Sequence, residues 1–88
     1  MCTYATVTAP MTGSAKGPNG AWFRVTDATV YFDHPVHAPA EHSLNIDLAA
    51  PARGPSARVA VELTAESARE LVAAIQAALA SAPAEMTV

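Results

Sequence analysis

The sequence predicts an α+β fold, in which a four-stranded antiparallel sheet has one C-terminal helix packed on one of its faces. Three observations lead to this prediction. Four segments alternate polar and apolar residues, stretches rich in Gly and Pro separate them, and the last long segment has helical spacing. The 88 residues are enough for a single domain, 1–88, with a modest core.

The first half of the chain predicts two strands. Residues 3–8 alternate and are rich in β-branched side chains. Residues 22–33 form the longest strand candidate, with a bend or bulge near Asp27, where the alternation falters. Between the two segments, residues 10–20 hold three of the four glycines and two prolines. This composition predicts a long connection that is rich in turns.

Two shorter strands follow. Residues 42–48 and 57–63 alternate cleanly between apolar and polar side chains. The stretches before them, 34–41 and 49–56, each contain two prolines, which lack the N–H that a strand ladder needs. Both stretches are therefore expected to be loops between antiparallel neighbours.

The C-terminal segment predicts one helix. Thr64 is the expected N-cap, Glu66 adds an acidic side chain to the first turn, and Pro83 prevents continuation. An apolar stripe at three- and four-residue spacing is expected to be buried, and its members are Ala68, Leu71, Val72, Ile75 and Leu79. Residues 84–88 are expected to form a loose tail.

One helix cannot cover both faces of a four-stranded sheet, so the other face is expected to be open. Strand parity gives that face a polar set of side chains: Cys2, Tyr4, Thr6, Thr8, Thr29, Tyr31, Asp33, Ser43, Asn45, Asp47, Arg58 and Glu62. Such a face is solvated, or meets a second copy of the chain in a homodimer, or binds a small-molecule ligand.

Composition excludes several classes of protein. Five Lys/Arg against eight Asp/Glu give a net charge of −3, which argues against binding to nucleic acid or to an anionic membrane surface. A single cysteine excludes an intrachain disulfide framework. The N-terminal residues lack the pattern of a secretory signal, and the longest apolar stretch is too short for a bilayer. A cytoplasmic protein is the expectation.

The three histidines lie within nine residues of one another. His34 and His42 are expected to face each other at the mouth of a hairpin, with His37 in the loop between them. Neutral imidazoles are the most common metal ligands in proteins, and three of them with an open fourth position suit Zn²⁺, Cu²⁺, Ni²⁺ or Fe²⁺. The HxxH and HxxxxH spacings match no established zinc signature, so turn-capping or solvated histidines are the alternative.

Acidic neighbours and the cysteine extend this hypothesis. Asp33 and Glu41 flank the outer histidines and would ligate a metal, orient the imidazoles or move protons. Together with Tyr31, they are the candidate catalytic residues. Cys2 is a candidate thiolate ligand and, after removal of Met1, a candidate N-terminal nucleophile. A half-buried cysteine in an edge strand is the plainer interpretation.

Two further features of the sequence are weaker indications of a functional site. The run 13–17 has glycines and a lysine, but it lacks the GxxxxGK[ST] spacing of a phosphate-binding loop and does not open a helix. It is expected to be a flexible loop. Trp22 and Phe23 are expected to be core or dimer contacts rather than a platform for a ligand.

Three stretches carry a resemblance to a known family. Residues 1–4 (MCTY), 31–42 (YFDHPVHAPAEH) and 44–47 (LNID) resemble a family of short actinobacterial proteins of unknown function. The resemblance covers nearly the whole chain, including residues 54–60 and the closing helix. It implies a stand-alone, intracellular bacterial protein, and it implies no activity, ligand or site residue.

Three classes of function follow. The first is a small metal-binding protein, with or without metal-dependent catalysis, that uses His34, His37 and His42 with help from Cys2, Asp33 or Glu41. The second is a non-catalytic homodimeric interaction or scaffold protein that uses the open sheet face. The third is a metal-free enzyme or binder of a small molecule, with a polar site at a dimer boundary formed by Tyr31, Asp33, Asn45 and His42.

Overall fold

The computed structural model describes residues 5–36 and 41–88. Four strands form one antiparallel sheet in the order β1-β2-β3-β4, and one helix follows them. The elements are β1 (Thr6–Lys16), β2 (Trp22–Asp33), β3 (Ser43–Ala49), β4 (Arg58–Leu63) and α1 (Ala65–Ser81). This ββββα order confirms the predicted fold class.

Strand β1 is longer than the sequence predicts. The expected loop at 10–20 is wrong, because β1 continues to Lys16, and so is the flexible loop expected at 13–17. The long β2 provides a pairing partner for all of it, and Pro10 is tolerated because β1 is an edge strand. The register shifts between Pro10 and Gly13, opposite Asp27 and Val25, which is where the sequence predicts a bend.

The register separates the sheet into two faces of different chemistry. The apolar face consists of residues that pair directly across the strands: Val7, Ala9, Ala28, Val30, Phe32, Leu44, Ile46, Leu48, Val59, Val61 and Leu63. The polar face is made in the same way by Thr6, Thr8, Thr29, Tyr31, Asp33, Ser43, Asn45, Asp47, Arg58 and Glu62. The parity assigned from the sequence is therefore confirmed for the residues that the structure describes.

The buried core lies at one end of the sheet. Phe23 and Val25 of β2 pack there against Ala50 and Ala57, which flank the β3–β4 connection. That connection contains a short 3-10 helix, Pro51–Arg53. Phe23 is thus a core residue, as expected, whereas the neighbouring Trp22 is 65% exposed.

Helix α1 begins and ends as predicted. The Thr64 hydroxyl accepts a hydrogen bond of 3.0 Å from the backbone N–H of Ser67, so Thr64 is the N-cap. At the other end, Pro83 follows the last turn and stops the helix. Residues Ala84–Met86, within the expected tail, form a second 3-10 helix.

The apolar stripe of α1 is exposed in the single chain. The exposed fractions are 41% for Leu71, 54% for Val72, 52% for Ile75 and 57% for Leu79. The helix lies closest to β3 and β4, and only Ala65 and Ala68 of α1 are half-buried. The expectation that the stripe is buried is therefore wrong within one chain, because this sheet leaves most of the helix uncovered.

The polar face is covered where β3 begins. Ser43 is completely buried and Asn45 is 5% exposed. The Ser43 hydroxyl donates to Asn45 Oδ1 at 2.7 Å, which satisfies both groups away from water. Val36 N–H donates to a carboxylate oxygen of Glu62 at 2.6 Å, so the segment after β2 crosses this face. The expectation of a wholly open polar face is therefore wrong at these positions.

Candidate functional site

The hairpin between β2 and β3 brings two histidines together. Asp33 and Ser43 are the last paired residues of these strands, so His34 and His42 occupy the next positions on either side. Their rings stack with centroids 4.7 Å apart and an angle of 28° between the planes. The rings of Phe32 and His42 are also nearly parallel, with centroids 5.9 Å apart and an angle of 12° between the planes.

Backbone contacts hold His34 in place. Its ring Nδ1 lies 2.9 Å from the carbonyl oxygen of Glu41, and its own N–H donates to Asp33 Oδ1 at 2.7 Å. A carbonyl oxygen only accepts, so this contact places a proton on Nδ1, and in the neutral ring the lone pair is then on Nε2. This orientation by a backbone carbonyl is common among metal-binding histidines, but it also serves to fix a loop.

The predicted ligand set is only partly described. His37 and Cys2 lie outside the described residues. Within 5–36 and 41–88, no group of three or more His, Cys, Asp or Glu side chains is arranged to hold a metal ion. The lone pairs of an imidazole lie in the plane of its ring, so two rings stacked 4.7 Å apart keep them in separate planes, whereas zinc needs them to converge at ~2.0–2.1 Å. Metal ligation by His34, His37, His42 and Cys2 stays a prediction.

The candidate catalytic residues lie in or beside the hairpin between β2 and β3. Tyr31 and Asp33 are half-buried neighbours on the polar face, and the exposed Glu41 contacts His34 through its backbone. Asn45, expected to contact a small molecule, is buried and bonded to Ser43. In this structure Asn45 therefore accepts the hydrogen bond of the buried Ser43 hydroxyl within the sheet.

Several large apolar side chains are exposed in the single chain. They include the stripe of α1 and, in the edge strand β1, Val7, which is 62% exposed. Periodicity identifies the stripe in the sequence, but it does not say whether the covering surface belongs to the same chain. No side chain of the stripe is charged, so the surface is suited to another apolar surface.

Comparisons with other proteins give a family and no activity. No helix of residues 5–36 and 41–88 is long and apolar enough to span a membrane. No curated protein and no solved structure is detectably similar to the chain. One family model matches residues 1–88, that of the "Family of unknown function (DUF6295)". The chain belongs to this family.

Proposed function

We propose that this chain is a small homodimeric interaction protein, in which the apolar stripe of α1 and the apolar face of the sheet bind a second copy. The observation that carries the proposal is the exposure of Leu71, Val72, Ile75 and Leu79, each between 41% and 57%. A helix with one apolar stripe is stable in water when that stripe is buried. The uncovered stripe therefore requires a partner.

The core of one chain supports the same proposal. Among the described residues, the buried apolar side chains are Phe23, Val25, Ala28, Ala50 and Ala57. Three of the five are alanines, which remove little apolar surface from water. Folding has to offset about 1–2 kcal/mol of backbone entropy for each ordered residue, and so small a core contributes little toward it. Burial against a second copy would supply the missing apolar contacts.

The surface area gives the size of the missing contact. The chain exposes 6451 Å². A compact protein of 9.1 kDa is expected to expose about 4,900 Å², so the surplus is about 1,500 Å² per chain. Two such surpluses allow an interface of at most about 3,000 Å² in total, within the range of about 2,000–5,000 Å² that obligate homodimers bury. The radius of gyration, 14.4 Å, likewise exceeds the value of about 12 Å expected for a compact chain of this length.

A second copy is the partner that fits best. A two-fold interface joins the same patch on both subunits, so it requires a surface that complements itself. An uncharged apolar stripe meets that requirement, because two stripes in contact leave no buried charge without a partner. In this arrangement α1 of each copy would pack on α1 and on the apolar face of the other.

The oligomeric state tests the proposal. Multi-angle light scattering on the full chain is expected to give twice the 9.1 kDa mass of one chain. The mass should stay at that value on dilution into the micromolar range, because an interface of this size is typical of permanent dimers. A folded protein that has the mass of one chain at every concentration would contradict the proposal. The apolar stripe of α1 would then be expected to bind a different protein.

Transition-metal binding is the second candidate function. It is favoured by the proximity of His34 and His42, whose ring centroids lie 4.7 Å apart, and by the contact of His34 Nδ1 with the Glu41 carbonyl oxygen, which leaves Nε2 of the neutral ring as the ligating nitrogen. His37 and Cys2 are the proposed further ligands, and Asp33 and Glu41 the proposed acid–base groups. For both imidazoles to ligate one ion, the rings would rotate out of their stack. We also propose that the protein is cytoplasmic.

Metal analysis separates the two candidates. Untagged protein, exposed in turn to Zn²⁺, Cu²⁺, Ni²⁺ and Fe²⁺ and then desalted, is expected to retain near-stoichiometric metal if the histidines are ligands. A His34→Ala/His42→Ala variant should retain none, while a Ser14→Ala variant, distant in the sheet register, should match the wild type. Equal retention by all three proteins would exclude the histidine site, and it would leave the dimer proposal intact.

A further inference from the structure

A shallow basic depression lies at the end of the sheet opposite to the histidines. Its volume is about 750 Å³. The side chains that matter for its chemistry are Thr12, Ser14, Trp22, Arg24 and Arg53. No residue of α1 lines it, so it is separate from the proposed dimer surface.

The sheet register brings these residues together. Ser14 of β1 pairs directly with Arg24 of β2, and Lys16 pairs with Trp22. Arg53 comes from the 3-10 helix between β3 and β4, which the buried Ala50 and Ala57 hold against Phe23. Residues that are up to 41 positions apart therefore share one depression, because β1 continues through the stretch that the sequence assigns to a loop.

The arginines in the depression have no acidic partner in the part of the chain that the structure describes. Within the described residues, neither Arg24 nor Arg53 forms an ion pair, whereas Arg58 binds Asp47 at 2.7 Å. No carboxylate lines the depression. The neighbouring Asp27 accepts a hydrogen bond of 2.7 Å from Thr26. Two such guanidinium groups, lining one depression in a protein of net charge −3, would attract an anion and bind it through charge-assisted, often bidentate hydrogen bonds.

An exposed indole stands beside these charges. Trp22 is 65% exposed, and the ammonium group of Lys16 lies 5.6 Å from the centre of its ring. A second depression, of about 160 Å³, adjoins the first and shares Trp22, Phe23 and Arg53 with it. A flat aromatic surface next to unpaired guanidinium groups matches a ligand that has a planar ring and an anionic group.

We infer that this depression binds a small phosphorylated compound with a planar ring, of the class of the nucleoside phosphates. Arg24 and Arg53 bind the phosphate, the hydroxyls of Thr12 and Ser14 donate further hydrogen bonds to it, and the ring stacks on Trp22. Stacking on an aromatic side chain tolerates any base, since every base has a π face. The inference does not depend on the dimer or on the histidines.

Trp22 provides the assay, because it is the only tryptophan in the chain. Titration of the full-length protein with AMP is expected to change its fluorescence in a saturable way. Adenosine, which lacks the phosphate, and inorganic phosphate, which lacks the ring, should each bind at least about tenfold more weakly, because each keeps only part of the contacts. Added salt should weaken AMP binding, as screening predicts for exposed charges.

Three variants with the same charge change test the assignment. Arg24→Gln and Arg53→Gln should each weaken AMP binding by about tenfold or more, because each removes a charged hydrogen-bond donor. Arg69→Gln, on α1 and outside the depression, should leave the affinity unchanged. Backbone amide shifts in the ¹⁵N spectrum of the unmodified protein locate the ligand even where a variant does not fold.

The outcomes that overturn the inference are distinct. An absence of saturable binding, equal weakening by Arg69→Gln and Arg53→Gln, or amide shifts outside the two depressions would each exclude the site. Equal affinities for AMP and for inorganic phosphate would exclude stacking of the ligand's ring on Trp22.

Discussion

Replacing Ile75 with glutamate tests the proposed dimer at the centre of its surface. Ile75 lies in the middle of the α1 stripe and is 52% exposed in the single chain. Glutamate is a better helix former than isoleucine, so the substitution does not weaken α1 as an isolated helix. It places a carboxylate where the second copy would pack.

The exposed fraction sets the magnitude of the effect. Full burial of an isoleucine side chain contributes about 1.5–3 kcal/mol, so burial of the exposed half contributes about 1 kcal/mol. A homodimer loses this contribution twice, which amounts to about 2 kcal/mol, or about 30-fold in Kd. The cost of bringing a carboxylate into an apolar interface adds to this value, so 30-fold is the smallest change expected.

Sedimentation velocity over a range of concentrations measures the change. The matched control is Ala77→Glu, which introduces the same charge about 200° around the helix, outside the stripe. Ile75→Glu should shift the protein to monomers at concentrations where Ala77→Glu remains dimeric, with equal helical circular dichroism. Equal Kd values for the two variants would refute the assignment of the stripe to the interface.

Three further predictions concern the fold itself, and thermal unfolding checks each of them. Gly54→Ala should destabilise the protein by about 1–3 kcal/mol, because Gly54 has φ of +101°, which an alanine rarely adopts. The control Gly13→Ala should change the stability little, because no atom lies within 4 Å of the added methyl group and Gly13 has no positive φ. Equal losses of stability in the two variants would contradict the role of backbone conformation. Ser43→Ala should cost about 1–3 kcal/mol by leaving the buried Asn45 oxygen without its 2.7 Å donor, and an unchanged Tm would contradict this account. Thr64→Ala should cost about 1 kcal/mol through loss of the N-cap, and unchanged helix stability would show that the 3.0 Å bond contributes nothing.

Local chemistry explains which elements were predictable. The N-cap hydroxyl of Thr64 and the ring of Pro83 act within a few residues of their positions, so they define α1 from the sequence alone. Strand β2 is predicted with the correct limits because alternating apolar residues continue on both sides of Asp27, where the alternation falters. In β1, by contrast, pairing with β2 overrides the turn preferences of Pro10 and Gly13.

Burial was less predictable than secondary structure. Periodicity shows which residues share a face, but it does not show what covers that face. The segment that donates the Val36 N–H to Glu62 covers part of the polar face, whereas Ile75 of α1 stays 52% exposed.

The candidate sites were predictable only where they are local in sequence. His34 and His42 flank one hairpin, so their approach follows from the two strands beside them. Arg24, Arg53 and Trp22 meet only because of the sheet register and the position of the 3-10 helix, and no pattern in the sequence links them.

Intermolecular contacts measured by NMR test the central claim most directly. In a dimer formed from equal parts of isotope-labelled and unlabelled chains, filtered experiments detect only contacts between the two copies. Cross-peaks are expected from the methyl groups of Leu71, Val72, Ile75 and Leu79 to α1 and the apolar face of the other copy. Contacts between copies that arise only elsewhere, or no such contacts for a folded chain, would contradict the claim that α1 joins two copies of this protein.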